Sequence, residues 1–134
     1  MLMEQQCKQA KSISDLHNLA IYIQSFCQSL HGHLSIEDHR IFPHIARKTD
    51  ISHLHAHHEQ LTQLLKEFEN FSYRLKHLKN PEEDISTVVI DATSLIDKVS
   101  KFVNEHERAE EKVIAPDHMK KWFTETEMKH FFHV

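Results

Sequence analysis

Three long stretches of helical periodicity alternate with short polar breaks along the chain. Leu16, Leu19, Ile23, Phe26, Leu30 and Ile41 recur at helical spacing, which predicts a first long helix from about Ile13 to about Arg47. Ser12-Ile-Ser14-Asp15 supplies the start chemistry of that helix. A second helix is expected from about Ile51 to Lys76, opened by Asp50, with Leu54, Leu61, Leu64, Leu65, Phe68 and Phe71 as its apolar stripe. Residues 77–80 read as a loop. Asn80-Pro81-Glu82-Glu83 then offers a cap, a proline at the first helical position and acids in the first turn, so a third helix should run to about Ala115. Residues 1–12 have no clear period and read as a polar tail or frayed turn. Residues 117–134 carry Met119, Trp122, Phe123, Met128, Phe131 and Phe132 and read as a short amphipathic helix covering one end of a bundle formed by residues 13–116. Short loops make successive helices antiparallel, so the expected fold is an all-α up-down bundle in which the first and third long helices run parallel.

Polar residues interrupt these apolar stripes at matched places. His33-Leu-Ser-Ile-Glu37-Asp38-His-Arg-Ile41-Phe-Pro43 and His106-Glu-Arg-Ala-Glu110-Glu111-Lys-Val-Ile114-Ala-Pro116 share one pattern, H-x3-E-[DE]-x2-I-x-P, without a gap. Residues four apart on a helix lie on one face, so each copy presents an imidazole beside a carboxylate. At about 100° per residue, Leu19, Ile23, Phe26, Leu30 and Ile41 fall within about 40° of Glu37, and His33 lies in the same stripe. In the second copy, His106 and Glu110 sit near the middle of the stripe set by Leu95, Val99, Phe102, Val103 and Val113, whereas Glu111 lies about 120° away. A buried, unpaired carboxylate costs several kcal/mol, so two of them among leucines and phenylalanines require a cation or strong partners. Each proline is expected to stop its helix just beyond its polar pair.

Composition narrows the picture further. One glycine and three prolines in 134 residues favour helix over a sheet rich in tight turns. Sixteen basic against twenty acidic residues, without a basic stripe, argue against nucleic acid as a partner. The N-terminus has no apolar signal region and no run long enough to span a bilayer, so a cytoplasmic protein without a membrane partner is expected. Cys7 and Cys27 read as reduced structural thiols. Fourteen histidines stand out. His17, His77, His118, His130 and His133 read as ordinary surface residues. At the start of the second helix His57 lies about 25° from the centre of the stripe and His53 about 60° to the same side. His58 sits on the opposite flank, and His55 points away. Two parallel helices and the start of the antiparallel one thus aim histidines and carboxylates at one end of the bundle.

Imidazoles and carboxylates without a nearby cysteine suit iron, manganese or zinc better than calcium or magnesium. Bridging carboxylates with terminal histidines would make the site dinuclear. Neither the paired Glu-x-x-His motifs of ferritin-like bundles nor a His-Glu-x-x-His zinc motif is present; Glu127 and His130 form a lone Glu-x-x-His in the C-terminal segment.

These residues resemble the hemerythrin-like, or HHE cation-binding, domains over roughly residues 13–116. The resemblance rests on the His33/Glu37 copy ending in Ile41-Phe42-Pro43, the histidine-rich start of the second helix and the His106/Glu110 copy ending in Pro116. It implies a non-haem di-iron centre in an up-down bundle, and members that bind oxygen or other small diatomics, or handle and sense iron. Carried over by position, His33 with Glu37, His53 with His57 and His106 with Glu110 are the implied ligands, with His58 and Glu111 as alternatives in the second and third sets. The family pattern also implies an earlier helix that contributes a histidine. Residues 1–12 contain none, so the chain is expected to lack that helix and to close its exposed side by dimerisation. Mononuclear iron, manganese or zinc is the alternative to di-iron. Three functions fit these features: an iron protein taking oxygen or nitric oxide, an enzyme turning over peroxide or another small oxidant, and a metal-free partner-binding bundle.

Overall fold

The computed structural model describes residues 2–78 and 85–132, and among these every regular element is helical. The helices are α1 (Leu2–Lys8), α2 (Ile13–Ile36), α3 (Phe42–Ala46), α4 (Ser52–Lys76), α5 (Ile85–Ile114), α6 (Pro116–Met119) and α7 (Glu125–Phe132). A π-helical turn, Glu37–Ile41, joins α2 to α3 without a break. The expected cap at Asn80-Pro81 lies outside the described residues. No described helix is long and apolar enough to cross a membrane.

Local chemistry sets the helix starts. The Ser12 hydroxyl accepts from the amide of Asp15, and the Asp15 carboxylate accepts in turn from Lys11 N, so α2 begins where two orphan donors are satisfied. Asp50 accepts from Ser52 N at 2.9 Å and anchors the start of α4, although the capping position itself is Ile51. Thr124 and Glu127 form a reciprocal capping box at α7, which gives Glu127 of the lone Glu-x-x-His motif a structural role.

Cross-helix pairs fix the directions. Phe26 meets Phe68 and Asp38 meets His58, while Arg74 pairs with Asp91 and Lys98 with Glu67. Rising numbers on one helix meet falling numbers on the next, so α2 and α5 both run antiparallel to α4 and are parallel to each other. Their two H-x3-E copies therefore lie at the same end.

Two expectations are corrected. The N-terminal residues do not form a tail: α1 packs against α5 and α2, with Met3 and Cys7 fully buried. Cys7 lies against Thr93 and the carbonyl of Val89, and the Ser100 hydroxyl donates to Glu4, so α1 runs antiparallel to α5 in the fourth corner of the bundle. Isolated apolar residues at Met3 and Cys7, one turn apart, were too sparse to read as a period. Nor does Pro43 stop its helix. In α geometry its ring would strike the carbonyl of His39, but the preceding turn widens, with Phe42 N donating to Glu37 O, and helix resumes through Ala46.

The apolar interior divides in two. A large core of α1, α2, α4 and α5 includes Leu16, Leu19, Ile23, Leu61, Leu65 and Phe68. A second, at the other end, gathers Ile41, Phe42, Ile45, Ile51, Leu54 and Val113, with Met119, Phe123, Trp122 and Met128 of the C-terminal segment packed over it.

Candidate metal centre

Between these two cores lie the buried charged and imidazole side chains Glu37, His58, His106 and Glu110. Glu37 comes from the π turn, His58 from the first turns of α4, and His106 with Glu110 from successive turns of α5. One donor atom from each falls within 4.8 Å of the other three. His58 Nε2 stands 2.9 Å from His106 Nε2, 3.2 Å from Glu37 Oε2 and 3.3 Å from Glu110 Oε1, and His106 Nε2 lies 2.8 Å from that same oxygen. The Phe42 ring, 4.8 Å from the His58 ring, forms the apolar floor of this cluster.

Electrostatics hold the cluster together. Burial opposes charge on His58, but contacts with Glu110, Glu37 and Asp38 outweigh it and push its pKa up to about 10. Burial likewise opposes charge on Glu110, yet hydrogen bonds from His106 and His58 prevail and hold its carboxyl well below the usual range. Glu37 Oε2 remains buried without a hydrogen bond, because its approach to His58 is close but poorly aligned.

The donor set fits a cation. Four ligand atoms around a tetrahedral ion bound at about 2.0–2.1 Å stand about 3.3 Å apart; His58 Nε2 lies 2.9–3.3 Å from the other three residues, and the whole set fits within 4.8 Å. Two imidazole nitrogens and two carboxylate oxygens suit iron, manganese or zinc, and an ion would satisfy the orphaned Glu37 oxygen.

The residues singled out in the sequence divide into three groups. Glu37, His58, His106 and Glu110 come together. His33 and His57 flank them. His33 is mostly exposed and hydrogen-bonds Glu37, which raises its pKa, whereas His57 places its Nδ1 3.4 Å from His106 Nδ1 and has its pKa lowered by burial and by that neighbour. His53 and Glu111 are exposed and stay outside the cluster. In the middle set it is thus His58, the alternative by position, that meets Glu37, His106 and Glu110; of the implied pair, His57 packs against Phe102 and His53 against His57. Asp38, not among the expected ligands, places Oδ1 2.8 Å from His58 Nδ1. The acid following the glutamate in both motif copies was its available signal.

The sequence model described as the hemerythrin HHE cation binding domain matches residues 2–117. No curated protein and no solved structure matches the chain. The match covers α1 through the start of α6, including all four converging residues, and on that extent this chain belongs to the hemerythrin HHE cation-binding domain family.

Proposed function

We propose that this protein binds non-haem iron through Glu37, His58, His106 and Glu110 and takes a small diatomic ligand, oxygen or nitric oxide. The observation that carries this reading is the convergence of four buried ligand atoms, one of them an unsatisfied carboxylate oxygen, between two apolar cores. Bound iron would supply an open coordination position for such a ligand. The chain's own residues do the rest: the carboxylates offset the ion's charge, the imidazoles fix its position, and Phe42 with the C-terminal segment keeps water from below.

The finer reading is a dinuclear centre. The four-residue cluster would hold one ion, and His33, which meets the other oxygen of Glu37, would help to hold a second. The test is iron content per chain after anaerobic ferrous loading and desalting, followed by ultraviolet and visible spectra before and after oxygen or nitric oxide. Two irons per chain and a gas-dependent spectrum are expected. One iron would restrict the site to the four-residue cluster, and no iron would leave a metal-free bundle.

A further inference from the structure

The His58 ring is held from both sides by neighbouring residues of one turn. Glu37 Oε2 approaches its Nε2 at 3.2 Å, while Asp38 Oδ1 lies 2.8 Å from its Nδ1. On a regular α-helix consecutive side chains diverge by about 100°, which sends two adjacent carboxylates to different faces. Both point at one imidazole here because they open the π turn Glu37–Ile41, whose wider winding brings neighbouring side chains closer in direction. The second motif copy is an internal control. Glu110-Glu111 lies on the regular helix α5, and there Glu110 is buried in the cluster while Glu111 is exposed to solvent.

The geometry points to Asp38 as a positioning residue that holds the proton on His58 Nδ1 and so presents Nε2 to a metal ion, the π turn being the device that brings it there. This rests on the metal-binding reading above. A neutral imidazole keeps one N–H, and whichever nitrogen carries it cannot ligate an ion. With Asp38 accepting from Nδ1, the ring orientation is set before an ion arrives, and the proton that an ion displaces is the one on Nε2. Asp38 is half-buried and faces a cleft of about 550 Å³ that is also lined by His55, Glu59, Thr62 and Gln63, and it belongs to neither apolar core.

Zinc is the probe, because it is diamagnetic and accepts this donor set. Affinity is measured by chelator competition for the wild type, Asp38→Ala, Asp38→Asn and Glu59→Gln, with circular dichroism confirming the fold of each. Asp38→Ala is expected to weaken zinc binding about 10- to 100-fold, the usual effect of losing such an outer partner. Asp38→Asn, which keeps an acceptor oxygen, should fall between it and the wild type. Glu59→Gln removes a carboxylate from the same cleft without touching His58 and should bind as the wild type does. Nitrogen-15 spectra of the zinc form should show His58 protonated at Nδ1 and metal-bound at Nε2, with the Nδ1 proton exchanging faster in Asp38→Ala. Unchanged affinity and spectra in Asp38→Ala, or an equal loss in Glu59→Gln, would overturn the positioning role while leaving the metal site standing. Failure of the wild type to bind zinc or iron would remove the metal site and this role together.

Discussion

His58 Nε2 and His106 Nε2 face each other at 2.9 Å, from two antiparallel helices and within reach of two buried carboxylates. Two neutral ring nitrogens at that distance require a proton between them or a cation beside them, since each imidazole has only one N–H to give. In the metal-free protein the charge on His58 serves, and a metal ion can replace it. The sequence distance between the two residues is bridged entirely by the fold.

Metal should therefore stabilise the folded chain. In denaturant unfolding followed by circular dichroism, wild-type protein in ferrous iron or zinc at a hundred times its dissociation constant should gain about 2.7 kcal/mol over chelated protein. Glu37→Gln should lose most of that gain. In chelator the same variant should be less stable than the wild type, because it takes a carboxylate charge from beside the charged, buried His58. An unfolding curve of the wild type indifferent to metal would contradict the site.

The histidines should divide by position. His58→Ala and His106→Ala are expected to abolish metal retention after desalting, whereas exposed His53→Ala should retain the wild-type stoichiometry. His33→Ala separates the two nuclearities: it should halve the iron content of a dinuclear centre and leave that of a mononuclear one unchanged.

Separate cores predict separable defects. Phe68→Ala and Phe42→Ala both empty a fully buried aromatic site, and each should cost about 3–5 kcal/mol in unfolding free energy. Only Phe42→Ala should also weaken metal affinity, because its ring lies against His58 while Phe68 belongs to the distant core. Equal metal affinity in the two variants would show that the floor of the site is dispensable.

Cys27 gives a pH dependence away from the site. Burial, with the Glu69 charge adding to it, pushes its thiol from an ordinary 9.0 up to about 12. The fold thus favours the neutral thiol, and its contribution is complete below pH 9 and lost as pH rises through about 12. Between pH 8 and pH 10 the wild type should lose roughly 1 kcal/mol more stability than Cys27→Ala does, as read from urea midpoints. Parallel losses in the two proteins would refute it.

Helix α1 should behave as part of the core. Met3→Ala is expected to cost about 2–3 kcal/mol, and to expose the N-terminal residues to limited proteolysis. No change in either measurement would return these residues to the status of a tail.

The sequence by itself determined the long helices, their relative directions and the class of chemistry. Helical periodicity is written locally, one turn at a time, and the H-x3-E copies announce their buried face because carboxylates there break an otherwise apolar stripe. Tertiary structure decided which residues meet. His57 lies nearer the centre of its stripe than His58, but the packing angle of α4 against α2 and α5 turns His58 toward Glu37 and His106 and leaves His57 beside Phe102. Asp38 was hidden for a related reason: its direction depends on a π turn, which the local pattern does not announce. Helix α1 owes its order to Val89, Thr93 and Ser100, far along the chain, because a single pair of apolar residues stabilises no isolated helix. Local pattern fixes what each segment can be, and the relative rotation of packed helices, which no single segment encodes, fixes which side chains share a site.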